Sequence, residues 1–127
     1  MGAERTGSLR RVIGVGRAID LPSGGTLFLT SIEIWDDRVV CRSGELRPQN
    51  ISDFLPPGEP LKEFTPMWKI ADDVGTGYRS MGGGSSGSQF FRDSAHEFEP
   101  TVPSTAKRLF VLGPGMADSQ EISVDLA

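Results

Sequence analysis

The chain holds one cysteine, Cys41, and one histidine, His96, among 127 residues. A lone thiol excludes an intramolecular disulfide and a thiolate-rich zinc site. It fits a reducing cytoplasm, and equally a secreted domain that needs no disulfide. One histidine leaves acid–base and metal chemistry short of donors. Basic residues are also scarce. Thirteen Lys and Arg stand against 17 Asp and Glu, for a formal net charge of −4. Arg10, Arg11 and Arg17 are too few for a phosphate-backbone surface, so nucleic acid is disfavoured. No run approaches the ~20 apolar residues of a membrane helix, so no membrane span is expected. Residues 1–11 lack the apolar core of a secretory leader. That favours the cytoplasm, or the envelope or exterior where a leader has been removed. No segment keeps a helical period.

Sixteen glycines and nine prolines are present instead, which implies short elements and many turns. The expected organisation is a polar tail over 1–8 and one β-sandwich domain over 9–127. A first strand runs over 9–20, with Ile13, Val15 and Ile19 on one face and the small Gly14, Gly16 and Ala18 on the other. A second runs over 26–35. Strict alternation puts Phe28, Ile32 and Ile34 on one face and Leu27, Leu29, Ser31 and Glu33 on the other. Apolar residues on both faces at its start read as a central strand. Asp36-Asp37 turns the chain into a third strand over 38–46. Residues 47–65 are irregular, because Pro48, Pro56, Pro57 and Pro60 rule out a central strand. A loop of that length is usually functional or mobile, and Phe54, Leu55, Leu61 and Phe64 are placed to pin it.

The stretch Asp72-Asp73-Val74-Gly75-Thr76-Gly77-Tyr78 is flanked by alternating runs. Trp68 and Ile70 precede it; Thr76, Tyr78 and Ser80 share a face after it. Alternation around an Asp/Gly turn predicts a β-hairpin. Residues 82–88, all Gly and Ser, read as a flexible loop that can be shortened. Strands follow near Phe90-Phe91, over 107–112 and over 121–126. The fold class is therefore all-β, an antiparallel sandwich of seven to eight strands. Phe28, Ile32, Trp68, Ile70, Tyr78, Leu109, Val111, Ile122 and Val124 are the expected core.

The motifs that carry chemistry are thin. Gly83-Gly84-Ser85-Ser86-Gly87 satisfies a nucleophile-elbow pattern, and residues 82–87 satisfy a dinucleotide-loop pattern. Both need a strand–turn–helix context that is missing. His96 with nearby Asp93 supplies two thirds of a hydrolytic set. The carboxylate pairs Asp36-Asp37 and Asp72-Asp73 sit at turns, where Asp usually bonds the local backbone. If both pairs lay at one end of the sandwich, calcium would become a candidate ligand. Trp35, beside Asp36, is the expected exposed aromatic.

Three pieces together resemble small immunoglobulin-like sandwich domains of uncharacterised bacterial proteins, of actinobacterial type. They are residues 25–29 leading to Ile32-Glu33-Ile34-Trp35, the run Trp68–Tyr78 with its Asp-x-Gly-x-x-Tyr signature, and Phe98-Glu99-Pro100 followed by residues 107–112. The Cys…Trp…Cys pattern of antibody domains is absent, so the likeness is one of architecture. It implies a non-catalytic domain attached to a larger protein or to the cell envelope.

The expected function is a non-enzymatic module without a cofactor, which binds a protein partner or itself through sheet edges. The first and last strands are the expected edges. Trp35, Asp36, Asp37, Phe54, Asp72 and Asp73 are the candidate contact residues. The alternatives are a carbohydrate- or calcium-binding module and a small hydrolase that uses His96.

Overall fold

The structure is a computed structural model and describes residues 7–22, 24–46, 67–87 and 91–127. Among the described residues eight strands form in chain order: β1 (Leu9–Asp20), β2 (Thr26–Trp35), β3 (Val39–Leu46), β4 (Lys69–Asp72), β5 (Arg79–Gly87), β6 (Phe91–Glu99), β7 (Arg108–Leu112) and β8 (Ile122–Asp125). A short 3-10 turn, Asp118–Gln120, precedes β8, and no α-helix forms among the described residues. The strands make two antiparallel sheets. The wide one has the order β1-β2-β3-β6-β5 and the narrow one β4-β7-β8. The chain is all-β, as its alternating pattern predicts, and β1 and β8 are both edge strands.

The core lies between the sheets. Leu29, Ile32, Val39 and Cys41 from the wide sheet are sealed with Leu109, Val111 and Ile122 from the narrow one. Each such side chain contributes roughly 1.5–3 kcal/mol by leaving water. Trp68 is buried beside Gly113, where an added Cβ would stand 2.9 Å from the indole ring. One lateral seam is closed by two long-range bonds. Arg11 Nη1 donates to the Leu126 carbonyl at 2.6 Å, and Gln120 Nε2 donates to the Asp20 carbonyl at 2.8 Å. These bonds set β1 over the β8 side of the narrow sheet.

The opposite side is uneven. Every residue of β5 is exposed, and β6 gives only Phe98 to the core cluster. The wide sheet thus overhangs the narrow one by a ribbon of β5 and β6.

Three expectations are corrected. First, β2 does not keep one apolar face. Its pairing with β3 slips between Leu29 and Ser31, which makes Thr30 an extra residue. That bulge exchanges the faces. Leu27 and Leu29 point inward before it, Ile32 and Ile34 after it, and Phe28 is left half-buried. Second, the runs around Asp72–Tyr78 are not a hairpin. β4 pairs with β7 in the narrow sheet and β5 pairs with β6 in the wide one, so residues 73–78 cross between sheets. Third, Gly82–Gly87 is no loop. It pairs with β6 in register from Gly82 opposite Glu97 to Gly87 opposite Arg92. Side-chain periodicity cannot reveal such a strand, because its pairing uses only backbone. The remaining expected core residues hold. Ile32, Trp68, Leu109, Val111, Ile122 and Val124 are buried, while Ile70 and Tyr78 are half-buried against the cluster.

Candidate functional site

Asp72 organises the crossing from β4 to β5. Its side chain is buried, with Oδ1 accepting the Val74 amide at 3.1 Å and the Thr76 amide at 3.0 Å. Oδ2 accepts the Tyr78 hydroxyl at 2.8 Å. Burial alone raises the pKa of this carboxyl. The bonds from Thr76, Tyr78 and Val74 outweigh that and hold it below its ordinary value. Burial and the Asp72 carboxylate push the Tyr78 phenol well above its own. Asp73 turns outward, where Oδ1 accepts the Lys107 amide at 3.0 Å.

The other Asp pair sits on the β2–β3 turn. Asp36 exchanges backbone and side-chain bonds with Ser8, at 3.0 and 3.2 Å, and lies 3.6 Å from Arg10 Nε. Asp37 Oδ2 accepts Arg38 Nη1 at 3.2 Å. Arg38 is itself buried. Its guanidinium carbon stands 4.9 Å over the Trp35 ring, and its Nε lies 3.7 Å from a Glu97 oxygen. Nε and Nη2 make no hydrogen bond. A cation held by an aromatic face and a nearby carboxylate is partly compensated for leaving water. Trp35 is half-buried rather than free: its indole donates to Glu33 Oε1 at 3.0 Å, and its carbonyl accepts the Thr101 hydroxyl. Arg42 closes the group on Glu33, and that bond is the first cause holding the Glu33 carboxyl below its usual range.

The two turns do reach the same end of the molecule. Asp37 and Gly77 line one open depression of about 370 Å³ with Arg79, Glu99 and Pro100. The four carboxylates of the Asp pairs do not converge there. Among the described residues, no group of three or more His, Cys, Asp or Glu side chains is placed to hold a metal ion. Phe54 lies outside the described residues.

The structure adds a pair that sequence reasoning missed. Ser80 Oγ lies 2.8 Å from His96 Nε2, and the imidazole packs 5.1 Å from the Phe98 ring. Burial lowers the His96 pKa, partly opposed by Glu97, which favours the neutral ring. Nothing in the sequence marks Ser80, because only the β5–β6 register brings it to His96. Asp93 is three residues from His96 along β6, so the two side chains point to opposite faces. The proposed hydrolytic set of Ser, His and Asp is therefore not assembled around Asp93. Cys41 is sealed in the core, and burial pushes its thiol up to about 12.

Beside β5 runs a shallow groove of about 490 Å³, lined by Thr30, Arg42, Asp93 and serines of β3, β5 and β6. No described helix is long and apolar enough to cross a membrane. No family model, curated protein or solved structure matches the chain.

Proposed function

We propose that this chain is a non-catalytic β-sandwich module of immunoglobulin-like topology that binds protein, a partner or itself, through an open sheet edge. The observation that carries the reading is the overhang. Strands β5 and β6 extend beyond the narrow sheet, and β5 is exposed along its whole length. A ribbon that buries little apolar surface beyond Phe98 is marginal in water, and its outer backbone groups are a template for another strand.

Strand order supports the immunoglobulin-like part. Constant-type domains place strands A-B-E-D against C-F-G. Here β2-β3-β6-β5 faces β4-β7-β8 in the same sequence order, with β1 added beyond β2. The buried Cys41 then stands on the B-type strand and the buried Trp68 next to the C-type strand. Apolar Leu109 and Val111 occupy the F-type strand, which carries the second cysteine in antibody domains. The packing scheme of that fold is kept without its disulfide.

Sedimentation and chemical cross-linking over a range of concentrations test the reading, alongside thermal unfolding with calcium and with a glycan panel. Association of the folded protein supports it. A strict monomer that takes no protein yet gains thermal stability with calcium or a sugar overturns it in favour of ligand binding.

A further inference from the structure

We infer that the open edge is completed by a second copy of the chain, with the two β5 strands pairing antiparallel about a two-fold axis at Gly84. The inference rests on reading the chain as an interaction module, and it adds the edge, the partner and the register.

The four edge strands among the described residues are not equivalent. β1 carries two register slips against β2 and three arginines. A two-fold centred on Gly14 would set Arg11 of one copy opposite Arg17 of the other, and facing like charges destabilise strand pairs. β4 and β8 are each four residues long. β8 is also tied at its end by the Arg11 bond to the Leu126 carbonyl. Bulges, charges and short strands are the ordinary defences of an edge. β5 has a slip at Met81 and then none. From Gly82 to Gly87 it is in continuous register with β6. Residues 80–90 contain no charged side chain and no proline.

Gly82 and Gly87 have φ of 96° and 145°, so the backbone kinks at both ends of the run. A strand laid along it must be free of charge and proline, and the same run in a second copy meets that condition. Pairing about Gly84 sets Gly82 against Ser86 and Gly83 against Ser85. No charge faces a like charge in that register. About five residues at ~3.3 Å each make a short contact. Such an interface falls below the ~1,200 Å² of stable complexes, so the dimer is weak and concentration-dependent.

The test uses Gly84, because an added Cβ there meets nothing within 4 Å and its φ is not positive. Gly84→Lys and Gly84→Glu therefore fit the fold, and each sets two like charges together at the axis. Sedimentation velocity of the whole chain should show a concentration-dependent dimer. Each variant alone should weaken it by up to about five-fold, and an equimolar mixture of the two should restore it. Circular dichroism and the urea midpoint should match wild type in both. A wild-type dimer indifferent to both substitutions would overturn the β5 pairing while leaving self-association by another surface. A wild type that stays monomeric at all concentrations would overturn the inference as well, and partner binding would then be judged by the cross-linking above.

Discussion

Replacing Asp72 is the sharpest perturbation of this fold. One buried carboxylate accepts two backbone amides and the only tyrosine hydroxyl, at 2.8–3.1 Å. Asp72→Ala leaves these donors without their acceptor at a site water reaches poorly. Hydrogen bonds to a charged group are worth about 1.5–3 kcal/mol each, and three on one side chain are not additive. A loss of about 3–5 kcal/mol is expected, in the range of the largest single-site effects. Asp72→Asn keeps one oxygen for the Val74 and Thr76 amides, and its NH2 can donate to the Tyr78 oxygen, so about 1–2 kcal/mol is expected. The assay is urea unfolding followed by tryptophan fluorescence. Acid sharpens it. The folded pKa of Asp72 is lowered. Its contribution is therefore complete above the unfolded value of about 3.9 and is lost as pH falls through the folded one. Wild type and Asp72→Asn should converge below pH ~4. An Asp72→Ala loss under 0.5 kcal/mol, or no convergence in acid, would refute the reasoning.

Three further outcomes follow from the same geometry. Tyr78 should resist ionisation well above the usual ~10 in an ultraviolet titration of the native protein, with its absorbance step appearing only as the fold is lost. Its raised folded pKa means that this contribution is whole below ~10 and fades as pH rises further. Gly83→Ala should destabilise by about 1–3 kcal/mol, since the new Cβ would stand 2.2 Å from the Ala95 carbonyl oxygen, whereas Gly84→Ala should be neutral or mildly stabilising; urea midpoints decide. Cys41 should react with a thiol reagent only at the rate of unfolding, because burial holds it protonated; rapid labelling of folded protein would contradict its placement.

The fold class was legible because its core strands alternate. Ile122, Val124 and Leu126 point inward while Ser123 and Asp125 point out. The failures have separate physical origins. An extra residue at Thr30 flips the faces of β2, and no composition signal marks it. The Asp/Gly turn was read as a hairpin because hairpins and sheet-to-sheet crossings use the same turn residues. What decides between them is the buried acceptor at Asp72 with a hydroxyl six residues on. β5 was invisible because Gly and Ser give a strand no side-chain period. Asp36, Asp37 and Asp73 stand at turns, while Asp72 closes β4; their carboxylates are spent on Arg38, Ser8, Lys107 and the local backbone. Arg38 and Ser80 could not be picked out at all, since burial and register exist only in three dimensions.

Amide hydrogen exchange along residues 79–87 in dilute protein tests the central claim most directly. An edge strand bonds β6 with every second residue and turns the others outward. Alternating slow and fast amides are expected from Gly82 to Gly87, with slowing of the fast set as concentration rises. Uniformly fast exchange at every concentration would show that no strand and no open edge exist there, and would contradict that claim.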